Sequence, residues 1–196
     1  MKTKARQVAA AVLAAAGLLF RAGLAPASES PLPKGPPTLE ALAQSYRTPE
    51  GVARFLRERI RFEEDTTLFG RPEYWQSPEE FLARGRGDCE DYALFTQALL
   101  ERLGFEAFVF SVFGSHGYAH TVTVFLDGGR YNVVNQNRVI RHQAESLEEL
   151  SERLYPHWTW AAVVKKSGHQ GRIIREFFKT SVEAQLVALK LIDRST

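Results

Sequence analysis

Apolar positions along the chain change their spacing about halfway. Up to residue 103 they recur at helical intervals, and from residue 105 they alternate at period two. Residues 39–46 predict a short helix. Thr48-Pro49-Glu50 opens a longer one, with proline in its first turn and Val52, Phe55, Leu56 and Ile60 on one stripe. Ser77-Pro78-Glu79-Glu80 has the same cap chemistry and starts a third helix, which ends in the turn Arg84-Gly85-Arg86-Gly87. A further helix is predicted from Cys89 to Leu103, stopped by Gly104. Tyr92, Ala93, Leu94, Phe95, Ala98, Leu99, Leu100 and Leu103 nearly encircle it, so it is buried.

Strand patterns follow over 105–113 and 119–126. A third covers 131–135 with Val139-Ile140 beyond, and Asp127-Gly128-Gly129-Arg130 makes a hairpin turn between the second and third. Residues 146–154 form a capped helix, and 158–164 read as a last strand. From Gly171 onward the character is mixed and amphipathic, and no element is assigned. Helices followed by an antiparallel sheet predict an α+β domain whose central, cysteine-bearing helix packs on the sheet.

Composition adds a compartment. Lys2, Lys4 and Arg6 precede an apolar run from Ala9 to Phe20, and Ala25-Pro26-Ala27 offers a small-x-small cleavage site, so residues 1–27 read as a secretory signal peptide. The run is too short to span a bilayer comfortably. The expected destination is the periplasm or the extracellular space, with no transmembrane span once the signal is removed. Cleavage after Ala27 leaves 21 basic against 23 acidic residues, which is no footprint for nucleic acid. Residues 28–37 are a proline- and serine-rich linker, 38–180 the folded domain, and 181–196 a tail expected to be helical.

An exported chain with Cys89 as its one cysteine has no internal disulfide. Gly87-Asp88-Cys89-Glu90-Asp91 places that thiol in the first turn of the buried helix, with Asp88 as N-cap and Asp91 completing a capping box. The helix N-terminus favours an anion and so favours thiolate. Asp88, Glu90 and Asp91 oppose it, unless they point away or a cation compensates.

Five histidines are present, and position separates them. His120 begins the alternating strand that ends at Leu126. A hairpin closed by Gly128-Gly129 sets Leu126 opposite Tyr131, Val124 opposite Val133 and Val122 opposite Asn135. His120 then shares a face with Asn135, on its diagonal, and with Asn137, directly opposite. Cysteine, histidine and a third residue that holds the imidazole form the nucleophile arrangement of cysteine peptidases.

The chain resembles the transglutaminase-like superfamily, in particular the bacterial transglutaminase-like cysteine proteinases. The resemblance rests on Gly87-Asp88-Cys89-Glu90-Asp91-Tyr92-Ala93, on Tyr118-Ala119-His120 with Val122-Thr123-Val124, on Tyr131-Asn132-Val133-Val134-Asn135, and upstream on Tyr74-Trp75-Gln76-Ser77-Pro78-Glu79-Glu80, and it spans roughly residues 48–160. It implies a papain-like core with Cys89 as nucleophile and His120 as base. The third position, an aspartate in the family, falls on Asn135, which can orient the ring but adds no charge. The resemblance also implies a protein or peptide substrate, and calcium, with Asp88, Glu90 and Asp91 as its ligands. The backbone N–H of Cys89 and a donor from Trp75-Gln76 are the expected oxyanion hole. Transfer of an acyl group to an amine, or a binding module without chemistry, are the alternatives to hydrolysis.

Overall fold

The computed structural model describes residues 37–179. The expectations for residues 1–27, for the linker up to residue 36 and for the 181–196 tail lie outside the described residues.

Three helices near the beginning are capped as their sequences require. Thr38 Oγ1 accepts from Ala41 N–H at 3.2 Å to start α1 (Leu39–Ser45), and Thr48 Oγ1 accepts from Gly51 N–H at 3.0 Å to start α2 (Pro49–Arg59). After the two-residue strand β1 (Arg61–Phe62) and the short helix α3 (Asp65–Phe69), a full capping box starts α4 (Pro78–Arg84). There Glu80 N–H donates to Ser77 Oγ at 3.1 Å, and Ser77 N–H donates to Glu80 Oε2 at 2.6 Å. β2 (Arg86–Gly87) pairs in parallel with β1 and leads into the buried helix α5 (Cys89–Arg102).

The remaining strands are β3 (Ala107–Gly114), β4 (Ala119–Asp127), β5 (Arg130–Asn135), β6 (Arg138–Ala144), β7 (Trp158–Ser167) and β8 (Gln170–Phe178), with α6 (Leu147–Leu154) between β6 and β7. They form an antiparallel sheet in the order β6-β5-β4-β3-β7-β8. Alternate positions serve its two faces, as the strand pleat demands. Phe125 and Val134 pack with Phe95, Leu99 and Leu100 of α5, where Thr123 Oγ1 also donates to the Ala93 carbonyl at 2.8 Å. Their neighbours Val124 and Val133 pack with Phe110 and with Leu147 and Leu150 of α6. The α+β class with a central helix on an antiparallel sheet is as expected.

Two features differ from the sequence reading. The third predicted strand is a hairpin, because Gln136 adopts φ 50° and the chain turns there, so Asn135 faces Arg138. Asn137 thereby leaves the strand, and its carbonyl accepts from Arg57 at 3.3 Å. Second, β7 is not the last strand: Gly168, at φ 62°, turns the chain into β8. All of β8 except Phe177 is exposed, so its sequence carries no alternation of buried and open positions.

Candidate active site

The start of α5 is fixed by Asp91. Its Oδ1 accepts from Gln76 N–H at 2.8 Å, and its Oδ2 accepts from Gln76 Nε2 at 2.5 Å and from Asp88 N–H at 3.4 Å. Gln76 is fully buried, donates also to the Arg86 carbonyl at 3.0 Å, and accepts from Arg84 Nε at 3.0 Å. Gly87 has to be glycine here, since a Cβ would collide with Asp91 Oδ2 and Gln76 Nε2. Asp91 and Gln76 thus clamp the 74–77 segment onto the helix start.

The clamp also decides the oxyanion question. Gln76 has spent its donors. Trp75 N–H goes to the His169 carbonyl at 3.2 Å, and its Nε1 goes to Glu73 at 2.6 Å. No N–H of Trp75-Gln76 is left to face a substrate, which corrects the sequence expectation for that segment.

Cys89 is half-buried at the first position of α5, with Asp88 at the N-cap. The Thr121 backbone of β4 is close enough to the sulfur to favour its anion. The thiol itself donates to Glu90 Oε2 at 3.1 Å. Burial, and then the charge of Glu90, push the thiol upward, and the Thr121 backbone only partly offsets this. Burial, and after it the carboxylate that points at the sulfur, thus act against the benefit expected from the helix start.

His120, next to Thr121 in β4, meets Asn135 at the end of β5, with Nε2 and Asn135 Oδ1 2.9 Å apart. The β4–β5 register is Leu126 with Tyr131, Val124 with Val133 and Thr123 with Val134, so the two side chains meet just past the end of the ladder. An amide oxygen accepts, so this contact places the proton on Nε2 and leaves Nδ1 with a free lone pair. Asn137, the other residue left open by the sequence, stays in the turn.

Tyr118, an exposed aromatic just before β4, lies beside this pair. It stacks on Tyr155 with ring centroids 4.0 Å apart and lies 6.4 Å from the His120 ring. Gly114 makes room for Tyr155, whose ring a Cβ there would strike. Nothing in the sequence pointed to Tyr155, because this contact joins the β3–β4 loop to the α6–β7 loop, far apart in sequence.

The acidic residues divide into two groups. Asp91 is engaged with Gln76, whereas Asp88 and Glu90 converge with Asp65 from α3, one carboxylate oxygen from each lying within 4.8 Å of the others. Asp65 Oδ2 accepts from Tyr74 N–H, while Asp65 Oδ1 and Asp88 Oδ1 are buried without a partner. Burial raises all three carboxyls. Glu90's charge adds to the rise of Asp88, and the Tyr74 N–H works against the rise of Asp65. Three buried carboxylates with two orphaned oxygens are the donor chemistry of a hard cation such as calcium. The acidic run Glu63-Glu64-Asp65 was the available signal for Asp65, but nothing in it marks which acid turns inward.

Known proteins resemble this chain in part or throughout. A centrosomal protein of 76 kDa from Xenopus laevis is 37% identical over 76 residues, which are 38% of this chain and 11% of that protein. Calcium-bound LapG from Legionella pneumophila has 17% identity, a TM-score of 0.46, and coverage of 82% of this chain and 93% of its own. EGTA-treated LapG gives 17% identity and a TM-score of 0.43, with 78% and 95% covered. The model of the bacterial transglutaminase-like cysteine proteinases matches residues 31–150, more than half of the sequence, and the chain belongs to that family.

Proposed function

We propose that this protein is an exported cysteine peptidase in which Cys89 is the nucleophile, His120 the base and Asn135 the residue that orients the imidazole. The observation that carries this reading is the His120–Asn135 contact at 2.9 Å, on the strand whose next residue, Thr121, has its backbone near the Cys89 sulfur at the start of α5. The N-terminal pattern of basic residues, apolar run and Ala25-Pro26-Ala27 supports export.

In the reaction, Cys89 exchanges its hydrogen bond to Glu90 for one to Nδ1 of His120 and gives up its proton there. The thiolate adds to the substrate carbonyl, and the Cys89 N–H at the helix start faces the developing oxyanion. The C–N bond breaks as the imidazolium passes its proton to the departing amine. Water, deprotonated by His120, then hydrolyses the thioester and frees the thiol. Asn135 holds one tautomer throughout. Asp65, Asp88 and Glu90 would hold calcium, whose charge offsets that of the three buried carboxylates beside the thiol.

The test is the rate of Cys89 alkylation by iodoacetamide against pH in the folded protein, with calcium and with EGTA, in wild type and His120→Ala. The expected result is reaction well below the pKa of a free thiol in calcium, and loss of that advantage in His120→Ala. A thiol that stays inert in both buffers until the protein unfolds would overturn the reading.

A further inference from the structure

Charge is segregated along the described chain. Residues 37–157 carry 13 arginines, no lysine and 19 acids. Residues 158–179 carry Lys165, Lys166, Arg172, Arg175 and Lys179 against the single acid Glu176. These five cations all lie on the β7–β8 ribbon or at its end, at the open edge of the sheet. Lys179 is engaged with Glu152 at 2.8 Å, whereas the ion pairs among the described residues leave Lys165, Arg172 and Arg175 out, the last lying over the Phe177 ring at 4.5 Å. Lys165 and Arg172 stand opposite each other across the ladder.

The same ribbon exposes large apolar side chains. Val164 pairs with Ile173 and Val163 with Arg175, so Ile174 is the extra residue of a β-bulge. It is 56% exposed, with arginines two positions before and one after, and Phe178 further along is 63% exposed. Cations alone would be explained as a guard against edge-to-edge pairing. That explanation does not cover an isoleucine that a bulge turns outward between two arginines.

We propose that the β7–β8 ribbon docks the protein on an anionic phospholipid surface, with Lys165, Arg172 and Arg175, which the register puts on one face, at the headgroups and Ile174 at the bulge dipping below them. Basic side chains flanking protruding apolar ones suit the headgroup boundary, where charge and apolar area both find partners. A purely acidic polypeptide would satisfy the cations and leave Ile174 wet, whereas a lipid surface accounts for both.

The experiment is flotation of the full chain with vesicles of phosphatidylcholine alone and of phosphatidylcholine mixed with phosphatidylglycerol, at low and high salt. Binding to the mixed vesicles alone, released by salt, is expected. Arg172→Gln and Lys165→Gln should each weaken it about fivefold, the equivalent of the roughly 1 kcal/mol that one cation contributes beside an anionic bilayer. Ile174→Ser should weaken binding without changing its salt dependence. All three positions lie on an exposed ribbon, and circular dichroism would confirm that each variant is folded. Absence of binding, equal binding to neutral vesicles, or binding to poly-glutamate as tight as to vesicles and indifferent to Ile174→Ser would overturn the proposal. None of these outcomes depends on whether Cys89 is a nucleophile.

Discussion

Asp91→Ala separates the two roles that the acids around Cys89 play. Asp91 accepts two short hydrogen bonds from the buried Gln76, at 2.8 and 2.5 Å, and a long one from Asp88 N–H at 3.4 Å. Truncation leaves the Gln76 backbone N–H and one Nε2 hydrogen buried and unpaired, each at about 1–3 kcal/mol, while the other Nε2 hydrogen keeps the Arg86 carbonyl. It also removes a charge that suits the helix N-terminus, at about 0.3–1 kcal/mol. Against this, burial already pushes Asp91 up to about 6, so removing the carboxyl relieves part of its desolvation. The balance is a loss of about 3 kcal/mol, a fall of roughly 1–2 M in the urea midpoint for ordinary m-values. The assay is urea unfolding in excess calcium and in EGTA. Because both oxygens of Asp91 already accept from Gln76 and Asp88 N–H, the loss should be the same in both. Asp65→Asn should show the opposite pattern, with a small effect in EGTA and loss of the stabilisation that calcium gives. A loss below about 1 kcal/mol for Asp91→Ala, or one that appears only in calcium, would refute the assignment of Asp91 to the scaffold.

Cys89→Ser should abolish turnover and leave the unfolding midpoint nearly unchanged, since the half-buried side chain fills little core volume; urea titration beside a peptide-cleavage assay checks both. Asn135→Asp should keep or raise the alkylation rate of Cys89, because a carboxylate also accepts from Nε2 and adds charge opposite an imidazolium. Asn135→Ala should lower it about tenfold or more by freeing the ring. Asp65, Asp88, Glu90 and Asp91 are all raised, chiefly by burial, with Asp91 moved from 3.8 to about 6. A folded pKa above the unfolded one gives stability that is whole at low pH and is lost as pH rises through the folded value. In EGTA the melting temperature should therefore fall as pH climbs from about 4 to about 7, and calcium should flatten that slope; differential scanning fluorimetry across the range reads it directly.

What could be read from the sequence was what short-range rules govern. The turn at Asp127–Arg130 fixes the β4–β5 register, and the register brings His120 to Asn135, so that pair follows from strand parity and one hairpin. Asn137 stayed open because the turn at Gln136, where φ is 50°, depends on a non-glycine residue in the left-handed region, for which the sequence carries no sign. The acids are a harder case. Asp88, Glu90 and Asp91 look equivalent within one helical turn, and what separates them is a segment far away in sequence: Gln76 takes Asp91, and Asp65 joins Asp88 and Glu90. Burial of a carboxylate is a property of the partner that arrives, not of the residue. The same reasoning explains why the thiol is pushed up at a helix start that favours anions. The dipole is local and could be read, whereas the direction of Glu90 is set by packing across α3 and α5. The proposed reaction therefore has to turn Glu90 off the sulfur, and this makes the carboxylate cluster, more than the helix, the element that governs the thiol.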